Sequence, residues 1–346
     1  MAPFKSSLAK SAGKLFGVFK EKDLSLRGAT QNTRRIVPPT ATGGAVFLPD
    51  NGFAYNVFKV SDNSQPTGIF LMPALTTAST IQILLVAGGG SGGNYPSGNA
   101  GGAGGAGGIV YWPAFSVTKG TNYTIVIGSG GSGTTANAAG NQGDDSTITF
   151  APGPVGTAKG GGKGNAYTSG GSAGGSGAGG SGAGPNSGGA GNQPAQAQPI
   201  GGSYTQYGNA GGNGPPTNSG ASAGGGGAGA AGGNSTAPPY ASQGNNGGDG
   251  QPFTGFEYPL VGLPGVNPTY NPSPTSNHYG GGGAGSRYSP LKSAQGGLGG
   301  GGGSNGQETP SHPSGDGMDG LGSGGAGGDA GSGDGGNGIC IIRYAV

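Results

Sequence analysis

The uneven distribution of apolar side chains limits where this chain can form a hydrophobic core. Between residues 151 and 338 only nine Val, Ile and Leu residues occur among 188 positions. A core needs many such side chains, because burying each one contributes only about 1.5–3 kcal/mol. The stretch 151–338 therefore predicts either disorder or an order that does not depend on apolar burial.

Glycine supplies the ordered alternative for this stretch. The chain contains 91 glycines in 346 residues. Aromatic, proline-bearing segments such as 252–279 interrupt the glycine runs, which disfavours a flexible linker. The run Gly299–Gly303 breaks the triplet period that collagen requires. We expect polyglycine II-type strands packed side by side, since only glycine lets backbones approach closely on every side.

Seven short runs, bounded by Gly, Pro and Asn, have the apolar or alternating pattern of β-strands. They are residues 55–60, 68–72, 81–86, 109–112, 123–127, 146–150 and 339–344. The last run has no apolar partner in the preceding stretch, so we expect the chain to return and pair with its first half. The predicted fold is mainly β: a β-sandwich core closed by the C-terminal strand, a large inserted polyglycine II-type bundle and a short N-terminal amphipathic helix.

This organisation divides the chain into three parts. Residues 37–150 and 339–346 form the predicted β core, and residues 151–338 form the glycine-rich region. Residues 1–36 carry eight basic and two acidic side chains. Helical spacing of apolar residues predicts an amphipathic helix over 3–24. Its docking candidates are Phe4, Leu8, Leu15 and Phe19. A solvated helix face is the alternative interpretation.

Catalytic and cofactor chemistry finds little support in the sequence. Gly88–Gly93 matches G-x-G-x-x-G after an apolar strand, but no helix or suitably spaced acidic residue follows, so nucleotide binding is not expected. Cys340 is the only cysteine, which excludes an intrachain disulfide. His278 and His312 have no supporting nucleophile, and Asp316 with its neighbours fits no EF-hand loop. We therefore predict no enzyme activity, no cofactor and no metal site.

Nucleic acid and membranes are also excluded as expected partners. Arg287 is the only arginine in the tract 151–338, unlike an arginine-rich RNA-binding tract. The longest apolar run, Ile83–Ala87, is too short to span a bilayer. The run Leu15–Phe19 is too short for a secretory signal. Synthesis in a cytoplasm without a signal peptide is therefore expected.

Aromatic residues of the glycine-rich region concentrate where glycine is interrupted. Such rings do not fit between glycine strands, so we expect them to project from turns or from the bundle surface as receptor contacts. The candidates are Tyr204, Tyr207, Tyr240, Phe253, Phe256, Tyr258, Tyr270, Tyr279 and Tyr288. Packing of these rings against one another is the alternative.

Four blocks of the sequence carry a resemblance to a known family. They are Tyr55–Phe58, Ile83–Gly90, Gly107–Tyr111 continuing through Gly120–Gly128, and Gly335–Tyr344. The sequence resembles the glycine-rich domain of tailed-bacteriophage tail-fibre and tail-tip adhesin proteins. The resemblance implies a virion appendage with a β core and a polyglycine II bundle. It also implies receptor-contacting loops at the far end of the bundle, which bind a host-surface protein or glycan.

Other virion proteins are the expected partners of the N-terminal segment, and a homo-oligomer such as a trimer is compatible with the sequence. Two further functions remain open. One is a purely structural head fibre or decoration protein without a receptor. The other is a non-viral glycine-rich protein, either an extracellular filament or an ice-binding polyglycine II bundle.

Overall fold

Antiparallel strands, with one short 3-10 helix (Tyr258–Val261) and no α-helix, make up the regular structure of the described residues. The computed structural model describes residues 40–49, 51–60, 67–73, 78–96, 100–150, 155–167, 169–196, 202–218, 220–236, 245–263, 276–286, 294–304 and 315–346. The predicted N-terminal helix lies outside them. The strands are β1 (Ala45–Phe47), β2 (Phe53–Lys59), β3 (Thr67–Leu71), β4 (Thr80–Val86), β5 (Ile109–Ser116), β6 (Asn122–Val126), β7 (Ser146–Phe150), β8 (Val155–Ala158), β9 (Thr205–Tyr207), β10 (Gln251–Pro252), β11 (His278–Tyr279) and β12 (Ile339–Ala345).

The C-terminal strand lies in the middle of a six-stranded sheet with the order β1-β2-β12-β4-β5-β9. Ile341 is paired with Val57 on β2 and with Leu84 on β4. The predicted return of the C-terminal run to the first half of the chain is thus confirmed. β4 and β12 are paired in the sheet although more than 250 residues separate them along the chain. The whole intervening chain is therefore held at both ends.

Both faces of this sheet are buried at its central strands, which explains the unbroken apolar runs in β4 and β12. Cys340, Ile342 and Tyr344 belong to one cluster, which also contains Phe70, Tyr123, Ile125 and Ile148 from the four-stranded sheet β3-β6-β7-β8. The alternate residues Ile339 and Ile341 belong to a second cluster on the opposite face. The period of two along a strand sends successive side chains to these two clusters.

Residues from the predicted glycine-rich region cover the second face, contrary to the expectation that this region offers no apolar partner. The segment 253–263, which includes the 3-10 helix, contributes Phe253, Phe256 and Val261 to the second cluster. The two-stranded ribbon of β10 and β11 brings Tyr279 into the same cluster. Few aliphatic residues suffice here because aromatic rings supply large apolar areas.

Glycine segments form a backbone hydrogen-bond network in which the bonding direction rotates with a period of three residues. Residues 88–94 donate their amides in turn to three neighbouring segments, with N···O distances of 2.9–3.1 Å. Gly88, Ser91 and Asn94 donate to Asp144, Asn141 and Ala138; Gly89 and Gly92 donate to Gly336 and Gly333; Gly90 and Gly93 donate to Gly105 and Gly102. The carbonyls of Gly88 and Ser91 accept from Gly161 and Gly164 of another segment.

Close backbone packing explains why these positions are glycine. A Cβ atom added at Gly104 would lie 2.1 Å from the carbonyl oxygen of Gly90, and one at Gly92 would lie 2.0 Å from that of Ala326. Such separations are far below any van der Waals contact. The network is not confined to residues 151–338, since it includes segments that follow β4 and β6; conversely, β8 and β9 belong to the sheets.

Candidate functional site

Four of the predicted receptor contacts are buried in the second cluster. The exposed fractions of Phe253, Phe256, Tyr258 and Tyr279 are 5%, 0%, 1% and 0%. Their rings pack edge to face, with 5.5 Å between the centroids of Tyr258 and Tyr279. The expectation that these rings project from the surface is therefore wrong, because the six-stranded sheet provides an apolar face for them to cover.

The hydroxyl groups of the two buried tyrosines are satisfied inside this cluster. Tyr279 Oη donates to the carbonyl of Phe256 at 2.7 Å, and Tyr258 Oη donates to the carbonyl of His278. Burial raises the pKa of Tyr258, and it raises the pKa of Tyr279 well above its usual value. Both side chains are neutral hydrogen-bond donors at neutral pH, in keeping with a structural role.

Tyr204 and Tyr207 are partly buried and also make contacts within the protein. The Tyr204 ring lies 6.3 Å from that of Trp112, and its hydroxyl accepts a hydrogen bond from the Gln196 amide at 3.1 Å. The Tyr207 ring lies 5.5 Å from that of Phe253. The remaining aromatic candidates, Tyr240, Tyr270 and Tyr288, and the docking candidates Phe4, Leu8, Leu15 and Phe19 all lie outside the described residues.

Two tyrosines that the sequence analysis did not select form a stacked pair at the end of the glycine network away from the sheets. The rings of Tyr95 and Tyr167 are 4.5 Å apart at an interplanar angle of 16°. Tyr167 is 38% exposed, which makes it one of the few exposed large apolar side chains in the described residues, and Tyr95 is partly buried. The pair therefore presents an aromatic surface to solvent.

The alignment of two glycine segments brings this pair together. The segment after β4 and the segment after β8 run side by side in the same direction, with Gly161 N donating to Gly88 O and Gly164 N donating to Ser91 O, both at 2.9 Å. Each tyrosine comes nine residues after the end of its strand, Val86 or Ala158. The equal spacing is the sequence signal that could have revealed the pair.

A buried polar side chain precedes the stacked pair along the chain. Asn94, directly before Tyr95, is fully buried; its Nδ2 donates to the carbonyls of Thr135 at 2.9 Å and Ala136 at 3.2 Å. Its Oδ1 has no hydrogen-bond partner within the described residues. Tyr95 N donates to Gly328 O at 3.1 Å. Four chain segments thus meet here, and they combine a flat aromatic surface with an exposed loop at Thr135 and Ala136.

The groups that could have suggested catalysis have structural contacts. The amides of Gly88, Gly90 and Gly93 in the G-x-G-x-x-G segment donate to backbone carbonyls, so they do not face a phosphate. His278 Nδ1 lies 3.1 Å from Asn277 Oδ1; burial lowers the His278 pKa and the charge of Asp249 opposes this shift. His312 lies outside the described residues.

The acidic residues near the C-terminus accept backbone amides. Asp316 Oδ1 accepts from Asp334 N at 2.8 Å, and Asp319 Oδ1 accepts from Asn337 N at 3.0 Å. The described residues contain no group of three His, Cys, Asp or Glu side chains that could hold a metal ion. Likewise, no helix within the described ranges is long and apolar enough to cross a lipid bilayer.

Comparison with known proteins gives one result at the level of the family. No curated protein matches the chain. The sequence model of the family described as Glycine-rich domain matches residues 64–345, which is most of the chain and includes every strand from β3 to β12. The chain therefore belongs to the glycine-rich domain family.

Proposed function

We propose that this chain is a non-enzymatic structural protein of a tailed-phage virion, a tail fibre or fibre-tip adhesin that attaches the particle to the host surface. The observation that carries the proposal is the exposed Tyr95–Tyr167 pair at the end of the glycine network away from the sheets. The resemblance of the strand blocks to phage tail-fibre proteins supports the virion assignment. The basic segment 1–36 is the proposed docking segment for other virion proteins.

The proposed architecture is a β-sandwich that carries a polyglycine II bundle. Polyproline II-type strands have three residues per turn and no internal hydrogen bonds, so each strand must bond to neighbours in three directions. The three-residue rotation of donors along residues 88–94 supports this assignment. At a rise of about 3.1 Å per residue, Tyr95 would lie about 28 Å beyond the end of β4. The bundle would act as a rigid spacer between the core and the contact surface.

Rigid presentation of aromatic rings is a favourable way to build a recognition surface. Tyrosine combines a large apolar area, few rotatable bonds and a polar tip. The stacked geometry restricts both rings before a ligand binds, which reduces the entropy lost on binding. We propose that this pair, with the loops beside it, contacts the host-surface protein or glycan.

The proposal can be tested with particles that carry Tyr95→Ala and Tyr167→Ala together. We expect adsorption to host cells to slow at least about tenfold, while the melting temperature of the purified protein changes by only a few degrees. Ile69→Ala, at a side chain that is 52% exposed on β3, is the matched control and should adsorb normally. Normal adsorption of the double variant would contradict an adhesive role for the pair.

A purely structural virion protein is the second candidate, and one observation favours it. The burial of Phe253, Phe256, Tyr258 and Tyr279 assigns four predicted receptor contacts to the protein interior. If the chain only builds a head fibre or decoration, the double tyrosine variant should adsorb like the wild type and particles lacking the protein should still infect. The adsorption assay thus separates the two candidates.

A further inference from the structure

A cationic side chain occupies an unusual position on the face of the central sheet that the segment 253–263 covers. Arg343 lies on β12, directly between Tyr55 on β2 and Gln82 on β4. It is partly buried. Its position near the C-terminal end of β12 is at the opposite end of the strand from Ile339, where the glycine network joins the sheet. The residue therefore lies far from the Tyr95–Tyr167 pair.

The guanidinium group is held in one orientation by four contacts. Its Cζ lies 3.5 Å from the centroid of the Phe53 ring. Nε donates to Tyr55 Oη at 3.2 Å and Nη1 donates to Gln82 Oε1 at 2.6 Å. Gly255 packs directly against the group, since a Cβ atom there would lie 2.9 Å from Cζ. Gly255 also has a φ of 84°, so both its conformation and its contact favour glycine.

The same contacts leave much of the hydrogen-bonding capacity of Arg343 unused. A guanidinium has five N–H donors. Two of them are used, and among the described residues both hydrogens of Nη2 and one of Nη1 have no partner. Arg343 also forms no ion pair with any carboxylate of the described residues. A partly buried charge without a counterion is unfavourable for stability alone, which suggests that the unused N–H donors of Arg343 serve a ligand.

Tyr111 lies on the same face of the sheet as Arg343, because it is paired with Leu84, two residues from Gln82 on β4. The Tyr111 ring packs at 5.3 Å from Phe253 and 5.9 Å from Phe256, and Tyr111 is partly buried. Burial raises the pKa of the Tyr111 hydroxyl, and the charge of Arg343 opposes that shift. The site thus combines a fixed cation, an amide and the partly exposed ring and hydroxyl of Tyr111.

We propose that Arg343 anchors a second binding site, which takes the carboxylate of an acidic sugar. The free Nη1 and Nη2 hydrogens form a planar fork that matches the two oxygens of a carboxylate. The Tyr111 hydroxyl and the Gln82 amide provide hydrogen bonds for sugar hydroxyls. The partly exposed Tyr111 ring offers an apolar face for a pyranose ring, which a bare inorganic anion does not use.

The test is a titration of the purified full-length chain with D-glucuronate, followed by calorimetry or by ligand-observed NMR. D-glucose and inorganic sulfate serve as the neutral and the non-sugar anionic probes. We expect D-glucuronate to bind with a Kd of about 1 mM, which is typical of few contacts, and to bind at least about tenfold more tightly than either comparison probe. Equal binding of sulfate and D-glucuronate, or no binding of D-glucuronate, would overturn the proposal.

Variants at the site sharpen the titration. Arg343→Lys keeps the charge but loses the planar fork, so D-glucuronate affinity should fall about tenfold. Tyr111→Phe keeps the ring packing and removes only the hydroxyl, so affinity should fall about threefold. Lys119→Gln, which removes one charge in the turn between β5 and β6, should leave binding unchanged. If Arg343→Lys fails to fold, Tyr111→Phe decides, and wild-type affinity in that variant would contradict the proposed site.

Discussion

The core around β12 and the glycine network are held together by different forces. In the core, large side chains such as Ile341 and Leu84 are fully removed from water. In the network, the third buried cluster consists only of Ala284, Ala294 and Ala326. Each network hydrogen bond contributes about 0.5–1.5 kcal/mol, which is close to the ordering cost of about 1–2 kcal/mol per residue. The comparison indicates that the network depends on its attachment to the core at β4 and β12.

The largest expected effect comes from breaking the central strand of the core. Ile341→Pro removes a backbone amide in a strand that is paired on both sides, and proline is poorly tolerated there. We expect a loss of more than about 4 kcal/mol and failure to fold, together with loss of the glycine network. Circular dichroism and limited proteolysis would measure this.

Ile341→Val is the matched control for the proline variant. It keeps the amide and removes one buried methylene, so a loss of about 0.5–1.5 kcal/mol is expected. If Ile341→Pro left the glycine segments protected against proteolysis, the network would be independent of the core and the comparison above would be wrong.

A single added methyl group tests the network directly. Gly104→Ala would put a Cβ atom 2.1 Å from the Gly90 carbonyl oxygen, so two backbones must separate. We expect a loss of about 3 kcal/mol in the free energy of unfolding, measured by denaturant titration.

Ala106→Gly, in the same segment, provides the contrast for Gly104→Ala. Ala106 is fully buried, so this position already accommodates a Cβ atom, and the change should cost only about 1 kcal/mol through chain entropy. Equal losses at the two positions would mean that close backbone approach is not what requires glycine here.

The sequence predicts the core better than the rest of the fold, for a physical reason. Strands such as β4 and β12 carry dense apolar runs, and burial on two faces leaves that pattern in the sequence. The segment 253–263, which covers the second face of the sheet, is harder to predict. Its buried aromatic rings lie in turns and show no periodic spacing in the sequence. The start of the network at Gly88 is also hard to predict, since a glycine run has the same composition whether it is a loop or a packed strand.

The candidate binding residues show the same contrast between what a local sequence pattern predicts and what it does not. Grouping aromatic residues by interruptions of glycine selected Phe253 and Tyr279, which pack in the core. It did not select Tyr95 and Tyr167, because isolated rings within glycine runs look incidental along the chain. Only the parallel alignment of their segments, with nine residues after each strand, brings them together. Pairing between distant glycine segments is not encoded in a local pattern.

The smallest expected effect concerns a carboxylate at the edge of the network, and it separates charge from hydrogen bonding. Burial raises the pKa of Asp316; the amide of Asp334 opposes this shift, and the charges of Asp334 and Asp319 add to it. Because the folded-state pKa lies above the unfolded value, folding favours the protonated form. The stabilising contribution is present below the unfolded pKa of about 3.8 and is lost as the pH rises through the folded pKa.

Asp316→Asn keeps an acceptor for the Asp334 amide and removes the charge, so it should stabilise the protein at pH 7 and not at pH 3. The residue keeps a large solvent-exposed area although its carboxyl group is partly buried, so we expect a gain within about 0.5 kcal/mol, measured as melting temperature against pH. Asp249→Asn, whose carboxylate likewise accepts a backbone amide, from Leu298, controls for the loss of one charge elsewhere. A lower stability of Asp316→Asn at pH 7 would show that the network edge needs the stronger, charged acceptor.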